Sequence, residues 1–134
     1  MTKVLTFGVF DYFHYGHLRL LEQARQAGDY LIVAVQQEES IRKYKPNAEL
    51  FYSTQQRVHL LSSLSVVDEV VTYNDVDQDI PKIDFDIFAV GEDQTHMGFQ
   101  RACQWCRENG KQVLRMQYTG EISSTIIKER LTEP

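Results

Sequence analysis

The apolar run YLIVAV at residues 30–35 is the feature that most restricts how this chain can fold. A strand with one face in water alternates apolar and polar side chains, whereas a strand buried on both faces is continuously apolar. Strands of the second kind occur mainly in parallel sheets, because the connecting helices cover both faces of such a sheet. The run therefore predicts a parallel sheet enclosed by helices.

The rest of the chain repeats this alternation of short apolar runs and helical patterns. Strands are predicted at 4–7, 30–35, 69–73, 85–90 and 112–116. Helices are predicted at 17–27, 54–64, 97–109 and 122–131, with one or two helical turns in 75–82. The polar stretch 38–53 is interpreted as a long loop, and Thr54 as the N-cap of the helix after it. This order predicts an α/β fold, a Rossmann-like parallel five-stranded sheet with helices on both faces.

Length and charge limit the classes of protein to consider. The 134 residues fit a single domain over 1–134. The formal net charge of −5 disfavours a nucleic-acid partner, since general nucleic-acid binders are mostly basic. The N-terminus lacks the pattern of a signal peptide and no segment is long and apolar enough for a membrane span, so we expect a cytoplasmic protein. Cys103 and Cys106 fall inside a helical pattern, and we interpret them as ordinary reduced cysteines rather than a redox or metal site.

The clearest functional pattern connects the first predicted strand to the first helix. It reads Gly8-Val9-Phe10-Asp11-Tyr12-Phe13-His14-Tyr15-Gly16-His17. A helix N-terminus favours an anion, and histidines donate hydrogen bonds to phosphate oxygens without needing a full charge. Taken alone, the pattern is equally compatible with a helix start that carries two incidental histidines.

Three later segments are expected near the same end of the sheet, because ligands of parallel α/β sheets lie at the carboxyl ends of the strands. The first contains Lys43 and Lys45, for which a solvated surface loop is the alternative. The second is Gly91-Glu92-Asp93, after the fourth strand. The third places hydroxyls at the start of the last helix, where a second phosphate cradle competes with a simple N-cap: Ser123, Ser124 and Thr125.

Gly8-Val9-Phe10-Asp11 followed by His14-x-Gly16-His17 resembles the signature of the cytidylyltransferase family, within the HxGH nucleotidyltransferase superfamily. GDYL at 28–31 and VDEV at 67–70 extend the resemblance over nearly the whole chain, and it is greatest to glycerol-3-phosphate cytidylyltransferases. The core Ile-Ser-Ser-Thr at 122–125 matches a second family motif, but Tyr118 stands where that motif has arginine. Ser65 likewise stands where the family often has a basic residue.

The resemblance implies roles for particular residues. Catalytic roles fall on His14, His17 and Lys45. Nucleotide binding falls on Gly8, Val9, Phe10, His14, Gly16, His17, Asp93, Thr119, Ile122, Ser123, Ser124 and Thr125. Acceptor binding falls on Asp11, Lys43, Lys45 and Arg57, although an exposed helix arginine is the alternative reading of Arg57.

The implied reaction transfers CMP from CTP to a small alcohol phosphate, with glycerol 3-phosphate as the expected acceptor and CDP-glycerol and pyrophosphate as products. The resemblance also implies Mg²⁺ bound mainly through the triphosphate, and a homodimer; no residue is expected to form a dedicated metal site. One alternative is the same chemistry with another substrate pair, such as an adenylyltransferase on a sugar or flavin phosphate, or a phosphoethanolamine or phosphocholine cytidylyltransferase. Another is a non-catalytic nucleotide-sensing module, which needs neither His14 nor His17.

Overall fold

A computed structural model describes residues 1–117 of the chain. Within them, five parallel strands form one sheet in the order β3-β2-β1-β4-β5. The strands are β1 (Lys3–Gly8), β2 (Tyr30–Gln36), β3 (Glu69–Tyr73), β4 (Ile87–Gly91) and β5 (Gln112–Met116). The helices are α1 (Tyr15–Gln26), α2 (Glu38–Tyr44), α3 (Thr54–Ser62), α4 (Val76–Asp79) and α5 (Met97–Glu108), with a 3-10 turn at Ile80–Lys82. The predicted α/β class and five-stranded parallel sheet are confirmed, while the helix predicted at 122–131 lies outside the described residues.

Both faces of the sheet are buried, as the apolar run in β2 predicts. Leu31, Val33 and Val35 pack in a cluster with side chains of α1 and α3. Ile32 and Ala34, which alternate with them, pack on the opposite face in a cluster with side chains of α4 and α5. Every one of these five side chains is at most 2% exposed, so β2 forms the centre of two cores at once.

The two cysteines lie in the second of these clusters. Cys103 and Cys106 are buried on α5 and are not bonded to each other. Burial raises the pKa of the Cys106 thiol to about 11, which keeps it protonated and unreactive at neutral pH.

The strand order reverses at β1, and the reversal leaves a crevice. From β1 the chain proceeds to β2 and β3 on one side and to β4 and β5 on the other. β1 pairs with β2 along all six residues from Lys3 to Gly8. It pairs with β4 only at Val4↔Ile87 and Leu5↔Phe88, so the carboxyl-terminal parts of β1 and β4 are not paired. Ligands of doubly wound sheets bind at such a reversal point.

The stretch predicted as a loop over 38–53 is corrected in its first half, where the chain forms α2. The helix is short and mostly polar, and Ser40 and Ile41 are its buried residues. Contacts with α3 stabilise it: the Glu38 carboxylate accepts a 2.7 Å hydrogen bond from the Thr54 N–H, and the Glu38 N–H donates to Thr54 Oγ1 at 3.1 Å. Periodicity of apolar residues cannot reveal a helix that is fixed mainly by such polar contacts.

The N-terminal ends of α3 and α1 also differ from the predicted ones, because polar side-chain contacts fix the N-caps of these helices. Ser53, not Thr54, is the N-cap of α3, because its side chain accepts from the Gln56 N–H while the Gln56 side chain accepts from the Ser53 N–H. α1 begins at Tyr15, two residues before the predicted start, because His14 is its N-cap.

Candidate functional site

A cavity of about 450 Å³ opens at the carboxyl ends of β1 and β4. Its walls come from the connection after β1, the segment after β2 and the turn after β4, which are three of the four segments expected there. The predicted site residues that line it are Gly8, Val9, Phe10, Asp11, His17, Lys45 and Asp93. The fourth segment, with the predicted Thr119, Ile122, Ser123, Ser124 and Thr125, lies outside the described residues.

The connection after β1 folds back tightly over the end of the strand. Phe10 and Tyr12 both have positive φ, 57° and 50°, a conformation that costs a side-chain-bearing residue on the order of 1–3 kcal/mol. The Phe10 ring covers Gly8 so closely that a Cβ on Gly8 would lie 2.6 Å from it. A turn of this kind persists only where neighbouring structure supports it.

Asp11 provides one support. Its two carboxylate oxygens accept hydrogen bonds from the N–H groups of Phe51 and Tyr52, each at 2.9 Å. The carboxylate thus joins the turn after β1 to the segment before α3. Asp11 was predicted to bind the acceptor. It lines the cavity, and its bonds with these two N–H groups also anchor the backbone.

Arg57 provides the other support. The side chain is only 1% exposed and does not line the cavity, so it is not an exposed helix arginine, and its binding of an acceptor stays a prediction. Its guanidinium donates to the carbonyl of Val9 at 2.9 Å, to the carbonyl of Gln36 at 2.7 Å and to Thr54 Oγ1 at 3.2 Å. Arg57 therefore ties α3 to the turn after β1 and to the end of β2.

The two histidines form one hydrogen-bonded unit at the start of α1. His14 Nδ1 accepts from the Gly16 N–H at 3.0 Å, and His17 Nδ1 accepts from the His14 N–H at 3.3 Å. The rings stack with centroids 3.9 Å apart and 22° between their planes. Because each Nδ1 is an acceptor, the neutral form of each ring carries its proton on Nε2. The Gly16 predicted to contact nucleotide acts here as the donor that fixes the His14 tautomer.

The Nε2 of His14 is buried and has no hydrogen-bond partner among residues 1–117. A buried donor left without a partner is costly, and such groups in native structures are usually satisfied by a ligand or water. The neighbouring His17 lines the cavity. The pair thus presents donor groups at a helix N-terminus, where the helix dipole favours a negative charge.

Burial keeps both histidines neutral. It lowers the pKa of His14, and it lowers the pKa of His17 to about 4, with His14 adding to the effect and the Asp11 carboxylate opposing it. At pH 7 each ring is therefore an uncharged hydrogen-bond donor. Positive charge has to come from elsewhere in the site.

Lys45 is the cation that lines the cavity among residues 1–117. It follows the last residue of α2, where its N–H caps the helix by donating to the Ile41 carbonyl at 2.9 Å, and its side chain is exposed. Lys43 is also exposed, but its ammonium lies 5.5 Å from the centroid of the Tyr44 ring and the residue does not line the cavity. The structure thus brings Lys45 to the cavity and leaves Lys43 outside it.

Gln94 and Glu49 line the cavity and were not predicted from the sequence. Gln94 Oε1 accepts from the Gly91 N–H and Nε2 donates to the Phe7 carbonyl, both at 2.9 Å. The amide thereby links the ends of β4 and β1. The sequence signal available for Gln94 was its place in the turn that follows the glycine at the end of β4. Only the strand order shows that the Phe7 carbonyl lies within reach of its side chain.

Nothing in the described chain forms a dedicated metal centre: residues 1–117 contain no group of three His, Cys, Asp or Glu side chains that could hold an ion. The carboxylates that line the cavity are Asp11, Glu49 and Asp93. No helix within the same range is long and apolar enough to cross a membrane.

We expect Arg57→Met to lower the free energy of unfolding by about 2–4 kcal/mol, because it removes the donor from two backbone carbonyls inside the protein. Urea denaturation measures the change. Arg19→Met is the matched control, since Arg19 forms an exposed ion pair with Glu22 and its loss is worth about 1 kcal/mol at most. Equal effects of the two substitutions would contradict the anchoring role of Arg57.

We expect the free energy of unfolding to decrease as the pH is lowered from about 6.5 to about 4. In this range unfolded His17 binds a proton, with its pKa near 6.5, whereas folded His17 stays neutral down to about pH 4. The unfolded state therefore binds more protons, and stability is lost as pH falls. His17→Asn should flatten this dependence, while Asn at the exposed His59 should not. A His17→Asn variant that loses stability as steeply as the parent would show that the ring is not held neutral.

Comparison with known proteins shows the family of the chain and agrees with its fold. Residues 5–130 match the Cytidylyltransferase-like family. The glycerol-3-phosphate cytidylyltransferase of Bacillus spizizenii is 37% identical over 133 residues, 96% of this chain and 96% of that protein. An FAD synthase of Picrophilus torridus is 32% identical over 137 residues, 98% of this chain and 96% of that protein. The crystal structure of a lipopolysaccharide core biosynthesis protein from Thermoplasma volcanium GSS1 matches with a TM-score of 0.73 and 26% identity, covering 89% of this chain and 97% of that one. The chain therefore belongs to the Cytidylyltransferase-like family and is a nucleotidyltransferase.

Proposed function

We propose that the protein transfers CMP from CTP to glycerol 3-phosphate, or to a closely similar small polyol phosphate, and releases pyrophosphate. The choice of substrates is supported by the match to a glycerol-3-phosphate cytidylyltransferase along almost the full length of both chains. The observation that carries the chemistry is the stacked histidine pair, in which His14 holds a buried donor with no partner in residues 1–117 and His17 lines the cavity.

In this reaction an oxygen of the acceptor phosphate attacks the α-phosphorus of the nucleotide. A new oxygen–phosphorus bond forms as the bond from the α-phosphorus to the bridging oxygen breaks, and that oxygen leaves with the electron pair as part of pyrophosphate. The acceptor phosphate is already ionised, so no general base and no protein nucleophile are needed. Catalysis then consists of positioning the reactants and stabilising charge on the α-phosphate oxygens.

In this reaction the neutral, positively charged and negatively charged residues of the site have different roles. His14 and His17 donate hydrogen bonds to the α-phosphate oxygens from positions fixed by the capping contacts of α1. Lys45, exposed and lining the cavity, neutralises phosphate charge. Asp93 lines the nucleotide side after β4, and Asp11 keeps the acceptor side in place through Phe51 and Tyr52.

Mg²⁺ fits this site as an ion carried by the nucleotide. The cavity offers single carboxylates rather than a cluster of ligands, and Mg²⁺ commonly takes one or two carboxylates with phosphate oxygens and water. When bound, it supplies charge neutralisation on the triphosphate.

A second candidate is adenylyl transfer to a flavin phosphate. It is favoured by the match to an FAD synthase over 98% of this chain, and by Tyr118 and Ser65 standing where basic residues are expected near the phosphates. The chemistry at the histidine pair is the same in both candidates, so substrate turnover has to separate them.

The substrates are tested by measuring pyrophosphate release with Mg²⁺ and each of the four nucleoside triphosphates. The acceptors compared are glycerol 3-phosphate, phosphoethanolamine, phosphocholine, FMN and several sugar phosphates. We expect the highest kcat/KM with CTP and glycerol 3-phosphate, with CDP-glycerol as the product. Efficient turnover of ATP with FMN would establish the second candidate, and binding of nucleotide without turnover of any pair would indicate a sensing module.

The catalytic role of the histidines is tested by His17→Ala. We expect kcat to fall by at least ~100-fold, the scale for losing one preorganised donor to transition-state charge. His59→Ala is the matched control, because His59 lies exposed on α3 and does not line the cavity. A folded His17→Ala variant with near-normal kcat would remove His17 from the mechanism.

A further inference from the structure

The side chain of Gln94 occupies a place in the sheet that a backbone hydrogen bond would otherwise take. Extending the register Leu5↔Phe88 by two residues sets Phe7 opposite Val90. In a parallel ladder with this register, the Phe7 carbonyl would accept directly from the N–H of the residue after Val90, which is Gly91. Gln94 instead lies between these two groups, with Oε1 on the Gly91 N–H and Nε2 on the Phe7 carbonyl.

Neighbouring bonds confirm that the two groups face each other across the sheet. The Glu92 N–H donates to the Met116 carbonyl of β5, so the N–H of the preceding residue, Gly91, points the other way, toward β1. Just before β1, the carbonyl of Thr2 accepts from the Tyr30 N–H at the start of β2. Alternation along the strand then directs the carbonyl of Phe7, five residues later, toward β4. Without an intervening group, β1 and β4 could pair to their ends and fill the crevice.

The turn after β4 fixes Gln94 in this place. The Gln94 N–H donates to the Gly91 carbonyl at 3.0 Å, closing a turn that returns the side chain to the Gly91 N–H. A primary amide suits the place because it offers one acceptor and one donor, as a peptide group does. Only one orientation of the amide satisfies both partners, and the cavity begins beside it, with Phe7, Gly8 and Gly91 in its wall.

We propose that Gln94 is a positioning residue that holds β1 and β4 apart at their carboxyl ends and so keeps the nucleotide side of the cavity open. The amide acts as a spacer in the ladder, and it satisfies the backbone groups that the separation would otherwise leave unpaired. The assignment of this side of the cavity to a nucleotide rests on the proposed nucleotidyl transfer. The separation of the strands by Gln94 does not depend on that proposal.

The spacer predicts different outcomes for two substitutions. In Gln94→Ala the Phe7 carbonyl and the Gly91 N–H are free to bond directly, so the strands close, stability changes little and CTP binds at least about tenfold more weakly. In Gln94→Met the side chain keeps nearly its full length but cannot bond either group, so CTP affinity is closer to that of the parent while stability falls further than in Gln94→Ala. Gln100→Ala is the matched control, since the Gln100 amide bonds the Thr95 carbonyl on the exposed side of α5, away from the cavity.

The experiment combines crystal structures without nucleotide, thermal unfolding, and calorimetric titration with CTP and Mg²⁺ on all four proteins. The spacer is supported if the distance from the Phe7 oxygen to the Gly91 nitrogen contracts to hydrogen-bond length in Gln94→Ala and CTP affinity falls as described. It is overturned if that distance is unchanged, or if both substitutions lower stability together while CTP affinity stays at the parent value. If the parent binds ATP and not CTP, the proposed substrate is wrong, and the same comparison with ATP still decides the role of Gln94.

Discussion

The strained turn between β1 and α1 is the constraint on which the site depends. Phe10 and Tyr12 hold left-handed backbone conformations that neither residue prefers, and they do so immediately before the histidine pair. The turn is held from outside by charged groups that bond backbone atoms: the Arg57 guanidinium on the Val9 carbonyl, and the Asp11 carboxylate on the N–H groups of the 51–52 segment. Backbone strain of a few kcal/mol is sustained where contacts of this number over-determine the conformation.

The separation of charge in the site follows from the cost of burial. A protonated imidazole inside the protein would lose its hydration, and burial accordingly lowers the pKa of both His14 and His17. A neutral donor loses less hydration than a charged one when it is held inside the protein before the substrate binds. Donors that are fixed in advance in this way can stabilise charge that develops during a reaction. Among the described residues that line the cavity, the formal positive charge belongs to Lys45, whose side chain is exposed to water.

The features that the sequence predicts well are those fixed by local pattern. Apolar runs located the strands, and the glycine and histidine pattern placed the entrance of α1 at the carboxyl edge of the sheet, although the helix starts two residues earlier than predicted. The missed features depend on contacts between distant segments. The formation of α2 depends on Glu38 meeting Thr54, and the role of Arg57 depends on the Val9 carbonyl, which lies in another connection of the fold. A single sequence does not distinguish an arginine that bonds backbone carbonyls from one that binds phosphate, because the residue and its position in the helix are the same in both cases.

The segment between α2 and α3 combines a structural role with a place in the cavity wall. The segment between Lys45 and the anchor at Phe51 lines the cavity with Ala48, Glu49 and Leu50, while the residues that fix it lie at its ends. Side chains within the segment can therefore change without disturbing the bonds that hold the turn after β1. Glu49 lies in this stretch, where it is exposed and lines the same cavity as Lys45. A carboxylate repels a neighbouring anionic group and accepts hydrogen bonds from hydroxyl groups, so it sets the chemical character of this part of the wall. The turn after β1 therefore depends on the anchored end of this segment, and the character of the cavity wall depends on its middle.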